Sequence, residues 1–334
     1  MLKLIKKYRK FLIIISFAYI YVLVALIAPS GFYALTPGEI NSTNNVFEIE
    51  NINFDNDFNT ISVYSWHNIT VFQKWLINNN NKYAMYKQNK TLKSDLLQGK
   101  ISHESSLHNA IITAYTYAAK EDENIKINYN LTGLTVYATT NKLLEIGDLI
   151  VEINDQKINS NNYITYLEEL NILNEENDRL IKNYNLKLTI SRNNKLTTIN
   201  LTEDEALIFY PKYEIISTSP QLKHTSINKN VGGPSGGMIN ALSIYTALLN
   251  INVNSKITGT GTIETNNEFE VGAIGGLIQK YYTVLPLKVD YFIIPENQGE
   301  KEIKQLLEIA TNNQVKIIIV KNFQDCINII KELT

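Results

Sequence analysis

The chain has 334 residues, 31 of them Lys or Arg and 33 Asp or Glu, for a net charge of −2. That length calls for two or three domains, and the near-neutral balance excludes the broad basic face that nucleic-acid binding needs. The single cysteine, Cys326, excludes an internal disulfide and a cysteine-based metal site, and its apolar surroundings point to a buried thiol.

The charge is unevenly spread. Lys3, Lys6, Lys7, Arg9 and Lys10 fall in the first ten residues without an acid among them, which leaves a net charge near −7 on the rest. Phe11 to Ala28 follows as 18 uncharged, mostly apolar residues, close to the ~20 needed to cross a bilayer as a helix. The basic segment before it favours a cytoplasmic N-terminus and an external remainder. A cleaved signal peptide is the alternative, but its apolar region runs only ~7–15 residues, and no clean Ala-x-Ala site follows. An uncleaved anchor is the expectation.

Pro29-Ser30-Gly31 breaks this helix, and Thr36-Pro37-Gly38 reads as a turn. Residues 39–60 are polar and extended, Thr60 to Ser65 alternates as a strand, and Phe72 to Leu76 begins a helical passage. Ser105 to Ala119 carries small and apolar residues at helical spacing. Gly133 to Ala138 reads as a short strand, and Ile146 to Asp155 as turn, strand and turn. Tyr163 to Leu173 looks helical, and Leu186–Arg192 with Leu196–Leu201 form a hairpin across Asn193-Asn194. This order, with Gly147-Asp148 before the strand, resembles a PDZ domain. The resemblance makes Leu131, Gly133 and Leu134 the loop that holds a C-terminal carboxylate, with affinity from strand addition. Any other small β-rich domain is the alternative.

From about 205 the chain reads as α/β. Met238 to Leu249 is an apolar helix, and Lys256 to Ile263 a threonine-rich strand. A helix from Gln279 runs to Pro286, and Val289 to Ile294 is a buried strand. A helix over Gly299 to Ala310, a strand over Val315 to Val320 and a helix over Phe323 to Leu333 close the chain. Continuous β-branched runs between helices call for a sheet covered by helices.

Two segments carry chemistry. Ser235 sits in Gly232-Gly233-Pro234-Ser235-Gly236-Gly237 at the start of the apolar helix, and Lys280 follows 45 residues later, just past Gly275-Gly276. A serine hydroxyl needs a neighbouring base and fixed donors for the developing oxyanion. A helix N-terminus supplies donors, and Gly233 and Gly236 let the backbone approach a substrate carbonyl. A lysine serves as base when burial lowers its pKa, and Ile274, Leu277, Ile278, Tyr281 and Val284 surround Lys280 in sequence. Thr258 and Thr260 are both placed to hydrogen-bond the amine. The alternatives are an anion-binding glycine turn, a solvated surface lysine, and His224 as base, although no acid is paired with His224. No Walker A sequence and no metal-ligand spacing is present.

The block Val231 to Leu242 resembles the Gly-Pro-Ser-Ala-Gly nucleophile block of Lon-type proteases. Thr258 to Ile263 and Val271 to Lys280 resemble that family's second block, which ends on the base lysine. The whole pattern is similar to bacterial membrane-anchored PDZ–Lon proteases. The resemblance implies a catalytic pair, Ser235 and Lys280, supported by Thr260 or Thr258, Gly233 and Gly236, with no cofactor, metal or ATP. Gly236 stands where alanine is usual, and Ile278 where many relatives have lysine.

The implied fold is α/β in three parts: a transmembrane helix, a PDZ-like β-rich domain and a C-terminal Lon-type α/β domain. The implied division is a cytoplasmic basic segment (1–10), the transmembrane helix (11–28), a juxtamembrane helical and strand region (29–125), a PDZ-like domain (126–204) and a Lon-type domain (205–334). The implied setting is a bacterial cell membrane, crossed once, with the N-terminus cytoplasmic and the catalytic domain extracellular. The implied partners are polypeptide substrates, the membrane and, as in relatives, further copies of the chain. A catalytically silent, membrane-tethered PDZ adaptor is the competing reading.

Overall fold

The computed structural model describes residues 7–159, 180–182, 186–201, 206–224, 232–266, 268–311 and 313–334. The chain opens with helix α1 (Arg9–Ile27) and strand β1 (Pro29–Ser42). The helix stops where Pro29 would have to continue its hydrogen-bond ladder. None of its residues is buried, and it is long and apolar enough to cross a membrane. Strands β2 (Phe47–Ile49) and β3 (Phe58–Thr70), helix α2 (Val71–Ile77), strand β4 (Ala84–Lys87) and helix α3 (Leu92–Glu121) follow. Thr70 and Gln73 close a capping box on α2, and the Thr91 side chain accepts from Ser94 N to start α3.

The turn expected at Thr36-Pro37-Gly38 is instead the middle of β1. Its register against β3 slips between Pro37 and Ile40, so the proline sits at a bulge, where a strand tolerates it. A Cβ on Gly38 would run into the Ser62 carbonyl.

The next elements are strands β5 (Lys126–Thr139), β6 (Leu149–Ile153), β7 (Gln156–Lys157), β8 (Leu180–Lys182), β9 (Leu186–Arg192), β10 (Lys195–Leu201) and β11 (Ala206–Ser219). They form an antiparallel sheet in the order β10-β9-β6-β5-β11-β8, with β7 on β6. The hairpin at Asn193-Asn194 forms as expected, both residues at positive φ, as a two-residue turn requires. The Gly147-Asp148 turn is locked by Arg192, whose Nε and Nη2 reach the two Asp148 oxygens at 2.7 and 2.6 Å. Leu131, Gly133 and Leu134 do not lie in a loop. They sit within β5, paired to Tyr213, Lys212 and Pro211 of β11, with Leu131 and Leu134 in the sheet's core. The cause is the length of β5, whose ladder with β11 runs from Lys126 to Thr139. The helix expected over Tyr163 to Leu173 lies outside the described residues.

Strand β12 (Leu222–His224) pairs with β2. Helix α4 (Gly237–Leu248), strands β13 (Ile257–Gly259), β14 (Thr262–Ile263) and β15 (Val271–Gly272), and helix α5 (Leu277–Val284) follow. Strand β16 (Tyr291–Pro295), helix α6 (Glu300–Ala310), strand β17 (Lys316–Val320) and helix α7 (Phe323–Leu333) complete the chain. A six-stranded mixed sheet runs β17-β16-β13-β3-β1-β4. It draws β1, β3 and β4 from the segment directly after α1 and β13, β16 and β17 from the C-terminal third. Strand β13 lies parallel to both β3 and β16.

Side-chain alternation sends Phe58, Ile257, Ile293 and Val320 to one face, where α3, α4 and α7 cover them. Ile61, Phe292 and Ile294 face the other way, onto α5 and α6. Helix α3 serves both sheets: Ala110, Ala114 and Ala118 pack in the core with α4, and Ile112 in that of the antiparallel sheet.

Candidate active site

The expected strand over Lys256 to Ile263 is broken. Strand β13 ends at Gly259 and β14 begins at Thr262, leaving Thr260 and Gly261 at the C-terminal end of a central strand. Thr260 is held there by its N–H, which donates to Ile293 O at 2.9 Å. Gly261 N donates to Ser235 O at 2.8 Å, and Met238 N donates back to Gly261 O at 3.1 Å. The break in the strand is therefore what receives the serine turn.

Ser235 lies two residues before α4, in a half-buried turn. Gly233 has φ +93°, a conformation that disfavours a side chain. Gly236 has an ordinary φ, but a Cβ there would come within 3.1 Å of the Thr60 methyl. That methyl crowds the space an alanine would take. No side chain caps α4; Gly237 N donates to Pro234 O and Met238 N to Gly261 O, each at 3.1 Å, and the positive end of the helix dipole lies beside Ser235.

Lys280 reaches the same place from the other face of the sheet. Gly276 starts α5 in the left-handed region at φ +72°, and Lys280 N donates to Gly276 O at 2.9 Å. The preceding loop is stapled by Gln298, whose amide accepts from Ile274 N at 2.8 Å and donates to Ile274 O at 2.6 Å. Lys280 is 2% exposed, on a helix that also buries Leu277, Tyr281 and Val284. Its Nζ donates to Thr260 Oγ1 at 2.9 Å, and Thr260 Oγ1 donates to Ser235 O at 3.2 Å. One threonine hydroxyl thus spans the lysine amine and the serine backbone. Burial pushes the Lys280 pKa down to about 7, against a smaller opposing pull from Glu302.

Thr258, the other threonine considered, makes no such bond; its buried Oγ1 has no partner among the described residues. The side chain of His224 lies outside the described residues. Cys326 is buried, and burial pushes its thiol pKa up.

Helix α3 contributes what sequence reasoning missed. Gly99 O accepts from Gly233 N at 2.8 Å, and Ser106 Oγ donates to Pro234 O at 2.8 Å. His103 Nδ1 lies 3.3 Å from the Gly233 carbonyl, and Asn109 Nδ2 donates to Ile263 O at 2.8 Å. Positions 99, 103, 106 and 109 share one helical face. The backbones approach so closely that a Cβ on Gly232 would sit 3.1 Å from Gly99 Cα. The available signal was a group of small polar residues, Ser102, Ser105, Ser106 and Asn109, leading into the apolar half of the helix.

Residues 219–332 match the family model of the Lon protease (S16) C-terminal proteolytic domain. The match supports a serine peptidase and covers roughly a third of the chain. Comparison with curated proteins finds no match. The Lon-type segment does not complete its own sheet, because β1, β3 and β4 lie outside the matched residues. The clamp from α3 on the serine turn is outside it too.

Thr260→Val is expected to slow peptide cleavage by about two- to tenfold, since a hydrogen bond between neutral groups is worth about 0.5–1.5 kcal/mol. Thr260→Ser should restore most of the rate because it keeps the hydroxyl. Steady-state kinetics on both variants checks this. Equal damage from valine and serine would make the residue a packing element only.

Proposed function

We propose that the chain is an ATP-independent, membrane-anchored serine endopeptidase, with Ser235 as nucleophile and Lys280 as general base. The observation that carries this reading is the bond from buried Lys280 Nζ to Thr260 Oγ1 and from there to the Ser235 carbonyl. A lysine with a pKa of about 7 is partly neutral at physiological pH, as a base must be.

The neutral amine takes the Ser235 hydroxyl proton as Oγ bonds to the substrate carbonyl carbon. The oxyanion develops beside the N-terminus of α4, where the positive end of the helix dipole favours negative charge. The ammonium then returns its proton to the departing amine as the C–N bond breaks. Water repeats the sequence on the acyl-enzyme, releasing a carboxylic acid and free Ser235.

The further parts of the proposal are an external catalytic domain, membrane-proximal or secreted polypeptides as substrates, and recruitment or gating by the β5–β11 sheet as a PDZ-like module. Helix α3 supports that last role, because it touches both the serine turn and this sheet. Gln98 Nε2 donates to Tyr137 O at 2.7 Å, and Ser105 Oγ to Pro211 O at 3.3 Å.

The test incubates the full chain in detergent with casein, without ATP, and repeats it with Ser235→Ala. Cleavage by the parent that Ser235→Ala lacks supports the reading. Equal cleavage by both sinks it. A serine-directed fluorophosphonate that labels neither protein, with casein left intact, would favour the silent adaptor.

A further inference from the structure

The end of the body from which α1 departs carries exposed apolar side chains and a concentration of positive charge. Helix α2 begins on α1: Val71 N donates to Ala28 O, the residue that ends α1, at 3.0 Å. On this short helix Trp75 is 65% and Leu76 53% exposed. The start of α3 lies at the same end. Gln88 N donates to Gly31 O at 2.9 Å, and Gln88 Oε1 accepts from Asn68 N at 3.0 Å, four residues before exposed Leu92, with Leu96 and Leu97 also exposed.

Between Ile61 and His103 the chain has six lysines and one acidic residue, Asp95, although the whole protein is slightly negative. Lys82, Lys87, Lys90, Lys93 and Lys100 are exposed. Asp95 is paired with His67 at 3.1 Å.

We infer that this face, α2 together with the β4–α3 connection and the first turns of α3, docks onto an anionic bilayer surface. The inference rests on the reading of α1 as a membrane span and deepens it. Tryptophan and leucine suit the headgroup boundary, and lysines gain about 1 kcal/mol each near an anionic leaflet. The backbone bond between Val71 and Ala28 leaves α2 no freedom to sit far from that boundary. Docking would hold the serine turn close to the membrane: Gly99, which grips Gly233, follows Leu92 by seven residues, about 10 Å along a helix.

The chain has two tryptophans, Trp66 and Trp75, so Trp66→Phe makes fluorescence report on α2 alone. The full-length variant is reconstituted into phosphatidylcholine vesicles with or without phosphatidylglycerol, with acyl chains brominated near the headgroup. Its association with the vesicles is checked by flotation. The expected result is co-flotation and at least a twofold loss of Trp75 emission in the phosphatidylglycerol vesicles. Adding Lys82→Gln, Lys87→Gln and Lys93→Gln should return the quenching to the phosphatidylcholine level. A chain that floats while Trp75 stays unquenched overturns the docking and spares the span. Equal quenching in both lipids overturns the anionic surface as the partner. A chain that does not float removes the span, and this inference with it.

Discussion

A Lys280→Met chain is expected to cleave casein about 10²–10⁴-fold more slowly than the parent, the usual contribution of a positioned acid–base group. The parent itself should gain kcat/KM tenfold per pH unit on the acid side and level off above about 7. The reason is the state of the amine. Lys280 is buried with Thr260 as its hydrogen-bond partner, and burial has drawn its pKa to about 7. In the proposed mechanism only the neutral amine takes the Ser235 proton, so the active fraction rises as pH passes upward through that value. Initial rates in a buffer series spanning neutrality measure the profile. A rate flat across neutrality would show that the base is some other group. Parental rates from Lys280→Met would remove the proposed pair altogether.

The same substitution should stabilise the fold while destroying activity. An ordinary lysine has a pKa of 10.5, and this one is held at about 7. Each unit corresponds to about 1.4 kcal/mol, so burying the amine at neutral pH costs on the order of several kcal/mol. Between about 7 and 10.5 the unfolded chain binds a proton that the native lysine does not. Stability therefore rises with pH across this window, is lost as pH falls through it, and reaches its full deficit below about 7. Methionine is unbranched, fills the same channel and carries no charge. Thr260 Oγ1 keeps its bond to Ser235 O. Lys280→Met should raise Tm by several degrees at and below neutrality, and the gain should shrink toward pH 10.5. Thermal unfolding followed by circular dichroism at several pH values measures it. A lower Tm at neutral pH would mean that the lysine's contacts outweigh its desolvation. Such a trade of stability for function is common at active sites.

Much of the architecture was legible because its signals are local. Phe323 to Leu333 was bounded correctly: Asn322 is a capping residue and the apolar positions repeat at helical spacing. The Asn193-Asn194 hairpin, the serine before an apolar helix and the glycine before the lysine helix follow from backbone preferences of one to four residues. Where a local signal misled, a longer ladder overrode it. Thr36-Pro37-Gly38 has the composition of a turn, yet β3 pairs on both sides of it and turns it into a bulge. Leu131 to Leu134 has the composition of a binding loop, yet β11 pairs with Leu131, Gly133 and Leu134 on both sides of a bulge at Thr132.

The sequence by itself determined the two blocks that carry the candidate chemistry, the apolar helix at the start and the periodic elements between them, because steric preference and hydrophobic period act over a few residues. Only the tertiary structure decided between Thr258 and Thr260. Both have the same strand parity, so alternation could not separate them. The ladder ends at Gly259, which frees Thr260 to meet Lys280 Nζ. Nor could a local pattern show that β3 lies beside β13, about 200 residues away in sequence, or that Gly99, His103 and Ser106 grip the serine turn from 130 residues upstream. Those contacts exist because buried backbone groups need partners and apolar faces need cover, and which partner is nearest is settled only when the whole chain has folded.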